Sequence, residues 1–246
     1  TKFSSLGLDL LTTGLSVPDL PGFKNGFFQI QDEAAQLAVS FLAPKPGERI
    51  LDACAGLGTK TCHIALAMEN LGIVVANDIG SQKIDRLGAE AHRLGITGIE
   101  TRSLDIIHAG RDTLGGYFDR VLVDAPCTGL GVLRRNPDAR WKRSQKDIQR
   151  MAAVQKKILN ASANLIAPGG ILVFVVCSCE PEENQAVIDH FLSKRKDFSP
   201  DPQGFGRHMP KAFNLKEEMF QFSTYPDYHQ MDGFFVARMK RLKTEG

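Results

Sequence analysis

The chain has 246 residues, 43% hydrophobic and 24% charged, with a formal net charge of +2, enough for one large domain with a sizeable core or for a domain plus an extension. Its five cysteines, at 54, 62, 127, 177 and 179, are odd in number, dispersed and without paired CxxC units; with no secretory signal, this argues against a disulfide framework, and the cytosol is the expected compartment with no metal site. The longest apolar run, Ile171 to Cys177, falls far short of the roughly 20 residues that span a bilayer, so no membrane partner is expected.

Residues 1–25 carry scattered Gly, Pro and Ser and are read as an arm on the main domain or the end of something preceding it; Thr1 in place of a Met suggests a fragment or processed chain. The stretch from Gly26 to Asp32 resembles a short strand. Asp32 is placed to cap a helix over Glu33 to Leu42, with Ala35, Leu37, Ala38 and Phe41 on its apolar face. The stretch from Arg49 to Thr61 reads as a strand, then a glycine-containing turn, then the start of a helix through about Met68. Gly56 and Gly58 in that turn would let the backbone approach a ligand at a helix N-terminus. A second strand, Ile73 to Ala76, ends at Asn77-Asp78. Asp78 lies 20 residues beyond Gly58, the position from which an acid hydrogen-bonds ribose hydroxyls. That spacing signals a nucleoside-containing cofactor without saying which; the plainer alternative is a cap for a helix over 81–94. A third strand, about 98–102, leads to Asp105.

Val121, Leu122 and Val123 form the short apolar run of a central parallel strand. Asp124, Pro126 and Cys127 follow at its carboxyl end, the edge where open α/β sheets bind ligands. Seven bases against two acids lie between Arg134 and Arg150, around the single Trp141. Arg134, Arg135, Arg140, Lys142 and Arg143 with Trp141 suit a phosphate backbone and a stacked base, and a solvated helix approach is the alternative. Asp147 to Ala167 predicts a long amphipathic helix closed by Pro168-Gly-Gly170. A fifth apolar strand then ends at Cys177. Pro181, Glu182 and Glu183 open another helix, in which the acids complement the helix dipole and Val187, Ile188, Phe191 and Leu192 face inward. The β-prone runs 220–225 and 233–238 suit an antiparallel pair. The alternation is that of a doubly wound, mostly parallel α/β sheet with a C-terminal antiparallel hairpin.

Cys127 and Cys177 thus stand at the carboxyl ends of two central strands. Free cysteines are commonly small buried hydrophobes, but two thiols so placed, one just after an acid in a Pro-containing loop, invite a covalent mechanism.

Asp52-Ala-Cys-Ala-Gly-Leu-Gly-Thr-Lys60, Asp124-Ala-Pro-Cys-Thr-Gly129, Arg135-Asn-Pro-Asp-Ala-Arg-Trp141, Cys177-Ser178 followed by Pro181-Glu-Glu-Asn184, and Asp232-Gly-Phe-Phe235 occur in this order. On these motifs the chain resembles the NOL1/NOP2/Sun family of RNA cytosine-5 methyltransferases, especially its bacterial 16S rRNA branch. The resemblance covers about residues 26–240, leaving 241–246 as a tail. It implies a class I methyltransferase (Rossmann-like) domain, S-adenosylmethionine as cofactor, and RNA as substrate with rRNA ahead of tRNA; separately, a monomer is expected. By position, it implies a cofactor loop from Cys54 through Ala55, Gly56, Leu57, Gly58 and Thr59 to Lys60. Asp78 stands as the ribose ligand, Asp105 as the adenine-side ligand, Asp124 as the site acid, Cys177 as the nucleophile and Cys127 as the second catalytic thiol. Lys83, where an Arg is common, and Asp124 also fall among the cofactor residues. Gly56-Leu-Gly-Thr59 replaces the usual Ala-Pro-Gly-Gly, and Val176 replaces the usual Thr before the nucleophile.

The chemistry accounts for two thiols and an acid. Thiolate attack on cytosine C6 makes C5 nucleophilic, an acid at N3 and N4 stabilises the shifting charge, and the C5 proton must leave before the thioether eliminates. Lys60 could hold Asp124 ionised or lower a thiol pKa; the alternative is a solvated lysine at a helix start. A dinucleotide oxidoreductase would share the glycine loop and Asp78 but leaves the thiols and the basic stretch without a role. A non-catalytic RNA-binding module would tolerate their loss. DNA cytosine methyltransferases attack with the thiol of the fourth-strand loop, so an inverted assignment, with Cys127 as nucleophile, stays open.

Overall fold

The computed structural model describes residues 1–10, 14–204, 213 and 218–243. Strands β1 (Arg49–Asp52), β2 (Ile73–Asn77), β3 (Ile99–Arg102), β4 (Phe118–Asp124) and β5 (Ile166–Val176) lie in the order β3-β2-β1-β4-β5, each parallel to its neighbours. β8 (Phe234–Arg241) runs antiparallel along β5, and β6 (Phe198–Pro200) and β7 (Gln221–Thr224) pair with its other edge. The doubly wound sheet with an antiparallel C-terminal pair is thus present. β6, too short to stand out in the sequence, extends it.

The alternation along each central strand sends residues to two separate cores. Leu51, Val121, Val123, Leu172 and Phe174 face one side, where α6 (Gln145–Ala163) and α7 (Gln185–Lys194) bring Ile158, Leu159, Val187 and Ile188. Ile50, Leu122, Val173 and Val175 face the other, covered by α1 (Glu33–Leu42) and α2 (Thr59–Ala67) through Leu37, Ala38, Phe41 and Ile64. α3 (Ser81–Arg93) packs Ile84 and Leu87 against Ala76. Two short helices, α4 (Arg111–Leu114) and α5 (Ala139–Lys142), lie in the connections. Each large aliphatic or aromatic side chain buried here contributes about 1.5–3 kcal/mol, which is why strands covered on both faces read as unbroken apolar runs. Among the described residues no helix is long and apolar enough to cross a membrane.

Four local expectations are corrected. Residues 26–32 form no strand: Phe27 and Ile30 are exposed, and the segment is pinned by side chains, with Arg93 donating to the carbonyls of Phe23 and Phe28 and Gln29 to that of Thr59. Asp32 does cap α1, accepting from the Ala34 amide at 3.0 Å, but Ala34 is buried where Ala35 was expected to be. The long helix stops at Ala163, and Ile166 already pairs with Phe118, so Pro168-Gly169-Gly170 sits within β5 rather than before it. The register shift between Phe118 and Arg120 absorbs these residues, with Gly169 at φ 84° and Gly170 so close to the Asp119 carbonyl that a Cβ would lie 2.8 Å from it. Finally, Pro181–Glu183 form a separate 3₁₀ turn before α7, and Leu192 is only half-buried.

Arg120, in the middle of β4, carries a charge into the sheet. Its Nε and Nη2 donate to Glu48 at 2.6 and 2.8 Å, and its Nη1 to the Leu42 carbonyl at 2.8 Å. Glu48→Ala is expected to leave that guanidinium buried without its counter-charge and to cost about 3 kcal/mol in urea unfolding. A loss under about 1 kcal/mol, typical of exposed pairs, would contradict this.

Candidate active site

The chain adds β2 and β3 on one side of β1, then returns to add β4 and β5 on the other. Where the winding reverses, the loops after β1 and β4 diverge and leave a crevice at the strands' carboxyl ends. A cavity of about 490 Å³ fills it. Cys54, Gly56, Asp78, Lys83, Asp105, Asp124, Cys127 and Cys177 all line it, alongside apolar walls from Ile79, Leu104, Ile106 and Ile107.

The glycine loop divides in two. Gly56, at φ 57°, lines the cavity with open space where a Cβ would be, and its amide donates to Asp78 Oδ2 at 3.0 Å. Gly58 does not face the cavity. A Cβ there would lie 2.3 Å from Leu87 Cγ, so this glycine lets α3 pack against the start of α2, which corrects the expectation that both glycines admit a ligand. Ala55 is buried, with its amide on the Asn77 carbonyl, and Leu57 is exposed. Neither they nor Thr59 and Lys60 are in the cavity wall. Asp78 accepts from the Gly80 amide at 2.9 Å and faces the exposed Lys83 at 3.2 Å. Asp105 caps its own turn through the Ile107 amide at 3.0 Å.

Lys60, in the first turn of α2, reaches across to Asp124 at the end of β4, Nζ to Oδ2 2.6 Å. Burial works against the ammonium, but the charge and hydrogen bond of Asp124, with the charges of Asp52 and Cys177, hold the lysine above its ordinary value. Beneath them Asp52 is buried with one oxygen on Thr61 Oγ1 at 2.7 Å and the other without a partner; burial, opposed by that hydrogen bond, pushes it up to about 7.

Cys127 and Cys177 meet with their sulfurs 3.2 Å apart. The hydrogen bond from Cys127 holds the Cys177 thiol below its ordinary value, against burial and Asp124 and with help from Lys60. The same bond, burial and the Cys177 charge push Cys127 well up. Lowering of one thiol and raising of its neighbour is what a hydrogen bond between two close sulfurs, one of them ionised, produces. Cys54, also in the wall, is pushed up by burial and by the charges of Asp52, Asp124 and Asp78.

The basic stretch separates into structural and open members. Arg134 donates to the Gln230 carbonyl at 2.8 Å and pairs with Asp32 at 3.3 Å, Arg135 pairs with Asp232, and Arg143 Nε donates to the Thr128 carbonyl at 2.9 Å. Arg140 lies over the Trp141 ring, 5.4 Å from its centroid, Trp141 is 82% exposed, and Lys142 is exposed.

Three residues escaped the sequence reading as parts of the site. Asn77 bridges two loops, donating to the carbonyls of Ala53 and Leu104 and accepting from the Leu104 amide. Asp52 was visible only as the first residue of a motif. Glu183, read as a helix-start acid, is fully buried beneath both thiols; its signal, an acid two residues past a proline, is too common to single it out.

A family model described as "16S rRNA methyltransferase RsmB/F" matches residues 39–240. The chain is 36% identical to the "Probable ribosomal RNA small subunit methyltransferase B" of Synechocystis sp., over 92% of this chain and 50% of that protein. It is likewise 36% identical to the mouse "28S rRNA (cytosine-C(5))-methyltransferase", over 98% of this chain and 31% of that protein. The chain thus spans about half the length, or less, of these curated relatives. The crystal structure of "NSun6 from Pyrococcus horikoshii with SFG" superposes with a TM-score of 0.79 at 29% identity, covering 93% of this chain and 57% of that one. With four-fifths of its length under one family model and its motifs gathered at the switch point of the sheet, the chain belongs to the RsmB/F family of 16S rRNA methyltransferases.

Proposed function

We propose that this chain transfers a methyl group from S-adenosylmethionine to C5 of a cytosine in RNA, with small-subunit rRNA the first substrate to test, through a covalent bond from Cys177 to C6. The observation that carries the reading is the pair of sulfurs, 3.2 Å apart, in one cavity wall with Asp124, whose carboxylate Lys60 holds from behind that wall. The names of the RsmB/F family and of the 28S cytosine-C(5) relative support RNA as the substrate class. The cavity's chemistry fits the cofactor: Asp78 and Asp105 offer carboxylates for ribose hydroxyls and an exocyclic amine, and Ile79, Ile106 and Ile107 offer apolar surface for a flat ring. When bound, the cofactor supplies an electrophilic methyl group on a sulfonium.

The residues divide the work on the base. The Cys177 thiolate forms the bond to C6, and the C5–C6 π electrons move towards C5, which becomes an enamine carbon able to take the methyl. Asp124, its Oδ2 held by Lys60, hydrogen-bonds the ring near N3 and N4 as charge shifts there. A base then takes the C5 proton, the C–H electron pair re-forms the C5–C6 double bond, and the C6–sulfur bond breaks to return the thiolate to Cys177. Cys127, beside the reacting sulfur, assists that release.

Incubating variants with unmodified 16S rRNA and adenosylmethionine tests the division. Cys177→Ala is expected to give neither 5-methylcytosine nor a protein–RNA adduct. Cys127→Ala should still attack and methylate but release slowly, so a shifted band should accumulate on a denaturing gel. A shifted band from Cys177→Ala with none from Cys127→Ala would reverse the assignment.

The open part of the basic stretch serves RNA binding in this reading. Arg140→Glu with Lys142→Glu is expected to flatten the dependence of log affinity on log salt by about one unit or more, since each single-strand phosphate contact contributes roughly 0.7. An unchanged slope would put the RNA surface elsewhere.

A further inference from the structure

Glu183 has no part in the steps above, yet it is 0% exposed. The 3₁₀ turn Pro181–Glu183 directs its side chain back under the loops that carry the two thiols. Oε1 accepts from the Thr128 amide at 2.8 Å and from Gln155 Nε2 at 3.1 Å. Oε2 accepts from Ser178 Oγ at 2.6 Å and from Thr128 Oγ1. Thr128 follows Cys127, and Ser178 follows Cys177. Neighbouring bonds brace the same loops: Gln155 also donates to the Pro126 carbonyl at 3.0 Å, and the Gly131 amide to the Cys177 carbonyl at 3.0 Å.

All four of these donors are neutral groups. Burying a carboxylate on neutral donors is costly, and an apolar side chain of similar size would serve packing alone at least as well. A helix start needs no such arrangement either, because an exposed acid complements the dipole.

We propose that Glu183 is a positioning residue for the thiol pair: by tying Thr128 and Ser178 to one carboxylate, it fixes the β4 and β5 loops so that the Cys127 and Cys177 sulfurs stay in hydrogen-bond contact. The inference deepens the covalent reading and rests on it for the purpose of the contact, but the contact can be read without RNA. If the loops separate, Cys177 loses its 3.2 Å contact with the Cys127 sulfur, and with it a hydrogen-bond partner for its thiolate form.

The test is the pH profile of Cys177 alkylation by iodoacetamide, followed in the whole chain by mass spectrometry of the Cys177 peptide. Glu183→Ala is expected to move the midpoint up by about one pH unit, the worth of one hydrogen bond to a charged group. Glu183→Gln keeps an acceptor for the Thr128 amide and a polar arm for the two hydroxyls, so it should return most of that shift. An unmoved midpoint in a Glu183→Ala protein that keeps its cooperative thermal transition overturns the proposal. Should Glu183→Ala fail to fold, Thr128→Val combined with Ser178→Ala removes the hydroxyl ties while leaving the carboxylate on its two nitrogen donors. The same upward move is expected there, and an unmoved midpoint again overturns the proposal. A wild-type chain that binds RNA but never methylates it would defeat the covalent reading and leave this profile decisive for Glu183.

Discussion

Lys60 and Asp124 meet across the one gap that the winding of the sheet leaves open, and the rest of the site depends on that contact. β1 and β4 are neighbours in space but separated in sequence by two strand–helix units, and their backbone pairing reaches only as far as the Ala53 amide on the Leu122 carbonyl at 2.9 Å before the loops part at the crevice. The 2.6 Å ion pair joins the start of α2 to the end of β4 there. It also sets the local charge. Asp52, Asp78 and Asp124 crowd one region, and each carboxylate raises the cost of a neighbouring anion; Lys60 offsets Asp52 and Asp124, and Lys83 stands against Asp78.

That balance selects one thiol from five. Burial pushes Cys54 up, pushes Cys62 to about 12 and raises Cys179, and Cys127 is raised by its bond to Cys177. Cys177 is lowered, chiefly by its hydrogen bond with the Cys127 sulfur, with Lys60 offsetting the Asp124 charge. Position along the strand does not distinguish Cys127 from Cys177, since both follow central strands. The difference arises from which sulfur donates, and hence from whatever keeps the two loops in register.

Much of the scaffold was legible in the sequence. Central strands covered on both faces are unbroken apolar runs, and acids at or past the ends of β2, β3 and β4, at Asp78, Asp105 and Asp124, mark their carboxyl ends, so both the strands and the crevice edge could be read directly. The parts that misled are those decided by distant partners. Glu183 looks like a helix-start acid because Pro181 and Glu182 are its neighbours, whereas Thr128 and Gln155, which hold it, are 55 and 28 residues away. Gly58 looks like a ligand-approach glycine until Leu87 of α3 is seen against it. Arg134 and Arg135 read as free charge, yet Asp32 and Asp232 claim them for the fold. Pro168-Gly-Gly170 reads as a turn before a strand, but Ile166 is already captured by Phe118. The roles given to individual cysteines came from the motif resemblance, because periodicity finds strands and does not say which thiol attacks.

The central claim, that Cys177 forms the bond to the cytosine ring, is tested most directly with RNA in which cytosine carries fluorine at C5. Fluorine cannot leave as the proton does, so a base that has been attacked and methylated stays bound to the attacking sulfur. After incubation of the wild-type chain with this RNA and adenosylmethionine, followed by protease and nuclease digestion, mass spectrometry should find the methylated fluorocytidine on the peptide that contains Cys177. The same mass on the Cys127 peptide, or no adduct from a preparation that methylates ordinary RNA, would contradict the account.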